Sequence, residues 1–227
     1  TLVGTNGITE ADARIMKQLW DGPTDEAENR LWYGFRPGVL FWNKVIPIGA
    51  FYYTLSGKPR PFFLSTYYLR WVTKNPKQTF ESLTVPQYRS LHRQSVTELA
   101  RFSADSADLH PFAAHGGKLM IDHGIDDPLI PVDGTLDYCR RMLSEVGAAK
   151  AEQFFRLYIT PGDGHGSCRW HAPGITEKDG MQALIAWVET GSAPQALRTV
   201  QVNRHGDTLR TDQVRPYTIQ NHEEDEA

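Results

Sequence analysis

The sequence predicts an α/β chain, and three observations carry that prediction. Residues 116–190 alternate short apolar runs with amphipathic stretches in the order strand–loop–helix–strand–loop–helix. Both apolar runs, Lys118 to Gly124 and Phe154 to Ile159, feed into loops that carry His, Asp and Gly. Upstream, residues 1–115 show helical patterning and clustered aromatics instead of strands. The expected architecture is part of a parallel sheet, preceded by part of a mainly helical, aromatic-rich region.

The elements follow in chain order. Thr9 has the chemistry of an N-cap, Asp12 sits at the capping-box position, and Ile8 precedes them. Ile15, Met16, Leu19 and Trp20 then share one helical face, and Gly22-Pro23 ends the helix. Residues 26–66 hold Trp32, Tyr33, Phe35, Phe41, Trp42, Phe51, Tyr52, Tyr53, Phe62 and Phe63 without a sustained period. Two readings stay open there: a satellite core under long loops, or a lid whose rings face a substrate. Residues 67–115 read as helical, with breaks expected at Asn75-Pro76 and Val85-Pro86. From Tyr88, Leu91, Val96, Leu99 and Phe102 fit a helix.

The first strand, to Gly124, is followed by a helix over Gly134 to Val146 with Gly147 at its stop. The second strand runs into Pro161-Gly162-Asp163-Gly164-His165-Gly166. A last helix spans Lys178 to Thr190, and Gly191 and Pro194 end it. Residues 199–221 read as polar and irregular. The domain boundaries expected from this pass are 1–115, 116–200 and 201–227.

Composition narrows the function classes. In 227 residues, 40% are apolar, which suits a folded core. The charges, 24 basic against 27 acidic, leave a formal net of −3. Glu223, Glu224, Asp225 and Glu226 supply the excess and read as a solvated tail. With no basic field, neither nucleic acid nor an anionic membrane is an expected partner. No apolar run reaches the roughly 18 residues of a membrane span. Two cysteines, Cys139 and Cys168, are too few for a disulfide scaffold.

The chemistry-bearing residues gather in the two loops. One is Asp122-His123-Gly124-Ile125-Asp126-Asp127-Pro128-Leu129-Ile130-Pro131; the other is Gly162-Asp163-Gly164-His165-Gly166-Ser167-Cys168. In a parallel sheet, ligands collect at the carboxyl ends of strands. A carboxylate after one strand and a histidine after the next follow the Ser…Asp…His chain order of α/β-hydrolases. A carboxylate orients an imidazole, and the imidazole takes a proton from a nucleophile. Asp126 or Asp127 can supply the acid, and Asp127 can instead cap the turn at Pro128. Asp122 and His123 read as fold-supporting hydrogen-bonders, and Asp163 as a turn residue. A metal reading would use Asp122, His123, Asp127, Asp163, His165 and His171, but their spacing matches no metal signature.

Taken together, these segments resemble the tannase and feruloyl esterase family of α/β-hydrolases. The residues concerned are Gly116-Gly117-Lys118-Leu119, His123 to Pro131, Thr135-Leu136-Asp137-Tyr138, Phe154 to Leu157 and Pro161 to His165. Ala186-Trp187-Val188-Glu189-Thr190-Gly191-Ser192-Ala193-Pro194 is similar to the family's closing helix. Ile8 to Ala11 and Leu19 to Pro23 look like part of its lid. The resemblance runs over about residues 8–200 and is strongest over 116–194. It implies the C-terminal part of an α/β-hydrolase sheet preceded by part of a lid, with Asp127 as triad acid and His165 as base. It also implies a carboxylesterase acting on small esters of hydroxylated aromatic acids, with no cofactor and a secreted or periplasmic home.

Three departures accompany the resemblance. No Gly-x-Ser-x-Gly segment exists in the chain, and Ser167 lies on the base's own loop, not on a strand-to-helix elbow. The family's cysteine after the base is displaced to Cys168. Its calcium loop and lid disulfides have no counterpart. Two strands make too little sheet to stand alone. The expectation is therefore that a nucleophile-bearing N-terminal segment or chain completes the protein. The alternative is a family member without catalysis that binds or builds.

Overall fold

The computed structural model describes residues 4, 7–39, 63–166, 172–203 and 205–219. Outside these fall Phe41, Trp42, Phe51, Tyr52, Tyr53 and Phe62 of the aromatic region, Ser167, Cys168 and His171, and the acidic tail. Contacts divide the chain into two units: Thr1–Thr24, Asn29–Val39 and Ser106–Ala227 form one; Asp25–Glu28 and Leu40–Asp105 form the other.

The larger unit opens with helix α1, Glu10–Asp21, whose capping box forms as its sequence dictates. The Thr9 side chain accepts from the Asp12 N–H, and the Asp12 carboxylate accepts from the Thr9 N–H. Gly22 then ends the helix with φ of 81°. The face carrying Ile15 and Trp20 stays exposed among the described residues.

A parallel pair forms the centre of this unit. Strand β1, Leu119–Gly124, pairs with β2, Phe155–Thr160, in a register that sets His123 beside Ile159 and Gly124 beside Thr160. Between them run helix α5, Val132–Val146, and the short α6, Ala148–Ala151, after α4, His110–Ala114. Side chains of the strands alternate between two faces. Leu157 and Ile159 join the core built on α5, with Val132, Leu136, Cys139, Met142 and Val146. Tyr158 faces the other way, against Ile175, Leu197 and Met120. Burying a side chain such as Leu136 contributes about 1.5–3 kcal/mol, so the five buried positions of α5 hold the pair firmly. Burial also pushes the free Cys139 thiol up to about 12.

Helix α7, Glu177–Thr190, starts at the Thr176 cap and stops at left-handed Gly191. A second sheet has the order β3–β4–β5: Gly174–Ile175, Leu197–Val202 and Thr208–Val214, all antiparallel. This hairpin corrects the expectation of irregular chain after residue 199. Strand β5 is almost wholly exposed and polar, so no apolar alternation marks it. Its turn is held by Asn203, whose side-chain oxygen accepts from the His205 and Asp207 N–H groups. Further on, the Tyr217 N–H donates to the Leu157 carbonyl at 2.7 Å and occupies part of the outer edge of β2.

In the smaller unit, helix α2 spans Phe63–Thr73 and α3 spans Val85–Leu99. Val85-Pro86 opens α3 and does not break the chain. Thr84 and Gln87 form a capping box, and Pro86 sits in the first turn, where a missing N–H loses no helical bond. Leu69, Val72 and Ser95 are its buried helical residues, whereas Trp71 is 75% exposed.

Candidate active site

Parallel strands of equal length finish side by side, so the loops after β1 and β2 open at one edge of the sheet. Gly124 brings them into contact. A Cβ there would lie 2.3 Å from the Asp163 carbonyl oxygen, so only glycine fits. The Ile125 N–H donates to the Thr160 carbonyl, and the Asp126 N–H donates to the Asp163 carbonyl. Asp163, 1% exposed, turns its side chain back to accept from the Gly164 N–H at 3.0 Å. His165 follows directly.

This backbone arrangement sets Asp127 and His165 face to face. Asp127 Oδ2 and His165 Nδ1 are 2.9 Å apart. Asp127 Oδ1 accepts from the N–H groups of Leu129, at 2.8 Å, and Ile130, at 3.0 Å. One carboxylate thus caps the turn at Pro128 with one oxygen and meets the imidazole with the other. The acid side chain is 6% exposed and the base 45%. A buried carboxylate with both oxygens engaged is held in one orientation, while the imidazole keeps an open side. With the carboxylate ionised, Nδ1 carries the proton and Nε2 offers its lone pair outward.

Asp126 points elsewhere. Its carboxylate has no hydrogen-bond partner among the described residues, and its oxygens lie near Gly38 and Gly162. Partial burial raises its pKa above the ordinary carboxylate value.

His123 stands behind the pair. Its Nε2 donates to the Ile130 carbonyl at 3.0 Å and lies 3.6 Å from Asp127 Oδ2. The Thr135 hydroxyl, in the first turn of α5, lies 2.9 Å from Nδ1, which in the neutral ring with Nε2 donating accepts from it. These bonds hold in one orientation a ring that buttresses the loop of Asp127. Asp122 joins the strands by accepting from the Thr160 hydroxyl at 3.0 Å. Of the residues in the metal reading, Asp122, His123, Asp127, Asp163 and His165 are engaged in hydrogen bonds at the strand ends and in the loops, and His171 lies outside the described residues. Among the described residues no group of three His, Cys, Asp or Glu side chains is arranged to hold a metal ion.

Sequence reasoning missed Thr135 and Thr160. Each is an ordinary residue of a helix or strand, and no local pattern marks it. Register alone hints at Thr160, which sits opposite Gly124 where the chain leaves the sheet.

Comparison with known proteins bears on the family and the fold. The model of the family described as tannase and feruloyl esterase matches residues 61–223. A "probable feruloyl esterase" of Arthroderma benhamiae is 27% identical over 212 residues, covering 88% of this chain and 37% of that protein. The tannase of Aspergillus oryzae is 33% identical over 98 residues, covering 40% of this chain and 17% of that one. The crystal structure of feruloyl esterase B from Aspergillus oryzae shares the fold, with a TM-score of 0.72 at 19% identity. The match covers 92% of this chain and 42% of that one. The chain therefore spans well under half the length of the relatives it matches.

Proposed function

The chain belongs to the tannase and feruloyl esterase family, with that family's α/β-hydrolase-like fold, and from this premise we propose that it serves a serine carboxylesterase. The substrates in this reading are small esters of hydroxylated aromatic acids, of gallate or ferulate type. Asp127 and His165 are the acid and base of the triad, and the serine lies on a nucleophile-bearing segment or chain outside this one. Residues 1–115 contribute to the lid, 116–200 hold the acid and base, and 201–227 extend the C-terminus. The setting is secreted or periplasmic. Among the described residues no helix is long and apolar enough to cross a membrane.

The observation that carries the reading is the 2.9 Å contact between a buried carboxylate and a half-exposed imidazole on adjacent strand ends. The serine oxygen attacks the ester carbonyl while His165 Nε2 takes its proton. The tetrahedral intermediate collapses, and His165 returns that proton to the departing alcohol. Water then attacks the acyl-enzyme with the same base and releases the acid. Throughout, Asp127 holds the ring in place and balances the imidazolium charge.

The test is labelling of the intact protein with a fluorophosphonate probe, followed by mass spectrometry. A labelled serine outside residues 1–227, together with hydrolysis of methyl ferulate or methyl gallate, is the expected result. Labelling of Ser167 overturns the assignment of the nucleophile. A folded protein that takes no label and hydrolyses no ester overturns the esterase reading in favour of a binding role.

A further inference from the structure

We propose a second ligand site in the larger unit: a cleft formed by Trp20, Arg30, Tyr33, Phe35, Arg36 and Arg140 that binds a carboxylate carried on an aromatic ring. The cleft lies between the end of α1, the chain from Arg30 to Pro37, and the face of α5 bearing Asp133 and Arg140. Its volume is about 350 Å³, at the lower end of the roughly 300–1,000 Å³ typical of small-molecule sites.

The charges in the cleft do not balance internally. Arg36 is taken up by Asp133 in a two-pronged pair, Nε to Oδ2 at 3.1 Å and Nη2 to Oδ1 at 2.6 Å. Asp21 is engaged by Lys17 at 2.6 Å. Asp137 accepts from the Arg141 Nε–H at 3.0 Å. Every acid in reach thus has a cation or donor of its own. Two arginines remain. Arg30 rests its guanidinium 5.1 Å above the Tyr33 ring and has no carboxylate partner among the described residues. Arg140 Nε is buried and has no hydrogen-bond partner among the described residues.

A buried N–H without an acceptor calls for an explanation, and an anion drawn to the Arg140 guanidinium supplies one. The guanidinium fork matches a planar two-oxygen anion better than a point charge does. Trp20, Tyr33 and Phe35 supply ring faces beside those cations, which favours an anion with an aromatic body. The inference stands without the esterase reading. Where that reading holds, the ligand is of the chemical class of the released acid.

The test is calorimetric titration of the intact protein with 4-hydroxybenzoate and with its neutral isostere, 4-hydroxybenzamide. The benzoate is expected to bind at one site at least tenfold more tightly than the amide, and more weakly as salt is raised. Arg140→Met and Arg30→Gln should each weaken it about fivefold or more, and Arg30 is exposed, so that variant tests the site without disturbing packing. His165→Ala should leave the affinity unchanged. Equal binding of benzoate and amide, no binding, indifference to both arginine variants, or loss of binding in His165→Ala overturns the proposal. So does inorganic phosphate binding as tightly as the benzoate, because the aromatic body then contributes nothing. The readout is independent of ester hydrolysis, so its failure and that of the esterase reading are told apart.

Discussion

Helix α5 and helix α3 have the same length and spend their apolar residues in opposite ways. α5 buries Val132, Leu136, Cys139, Met142 and Val146 against the parallel pair. α3 buries only Ser95, leaves Val96 60% exposed, and its unit also leaves Trp71 and Phe102 open. The first region closes its core within itself. The second carries apolar surface that stays exposed among the described residues, which is the kind of surface that meets another partner. Precision follows burial. A carboxylate can be held within hydrogen-bond tolerance of an imidazole only on a framework that does not shift, and the α5 region is that framework.

The largest effect that could break this contrast is catalytic. On the proposed esterase reading, Asp127→Asn in the intact protein should lower kcat by about 10³–10⁴ while the protein stays folded, because the ring loses its anionic partner and its tautomer. Circular dichroism and steady-state kinetics on one preparation separate the two. An active Asp127→Asn enzyme would move the acid's role to another residue.

Stability tests the contrast directly. Met142→Ala or Leu136→Ala should cost about 2–5 kcal/mol in urea unfolding. Trp71→Ala and Val96→Ala in the other unit should stay within about 0.5 kcal/mol. Equal losses in both regions would mean that the exposed face is covered in the intact protein.

A smaller effect is expected at Thr135→Val. It removes the hydroxyl that donates to His123 Nδ1 and leaves a buried acceptor unmet, at about 1–3 kcal/mol. Nuclear magnetic resonance of the ring nitrogens should show His123 losing its fixed tautomer, while Thr135→Ser keeps it.

The smallest effect concerns Asp126. Its folded-state pKa is raised by burial, so the ionised form is disfavoured in the fold. Any stability this group contributes is present below the unfolded value, near 3.8, and is lost as pH rises through the folded value. Asp126→Asn should therefore raise the melting temperature modestly at pH 7 and leave it unchanged near pH 3. A gain of equal size at both pH values would remove the electrostatic cause.

Much of this was legible because it is local. The Thr9–Asp12 capping box, the stops at Gly22, Gly147 and Gly191, and the two parallel strands, of which only the second is buried, follow from neighbours a few residues apart. The antiparallel hairpin β4–β5 was not, since its outer strand buries almost nothing and so carries no apolar period. Pro86 misled for a related reason: a proline reads as a break or as a first turn according to the cap before it, and Thr84 decided the matter.

At the candidate site the division is sharper. Chain order and family resemblance pointed to an acid after β1 and a histidine after β2. Spacing could not separate Asp126 from Asp127, because adjacent residues on a loop differ only in where the backbone aims them. The close approach at Gly124 aims Asp127 at His165 and leaves Asp126 without a hydrogen-bond partner among the described residues. Sequence alone thus determined the capped helices, the parallel strand pair and which residue types meet at its strand ends, since caps, periods and strand ends are encoded by near neighbours. Only the tertiary structure decided which carboxylate meets the imidazole, that Thr135 and His123 brace it, and that Arg140 Nε is buried without an acceptor among the described residues. Each of these depends on groups distant in sequence meeting within about 3 Å.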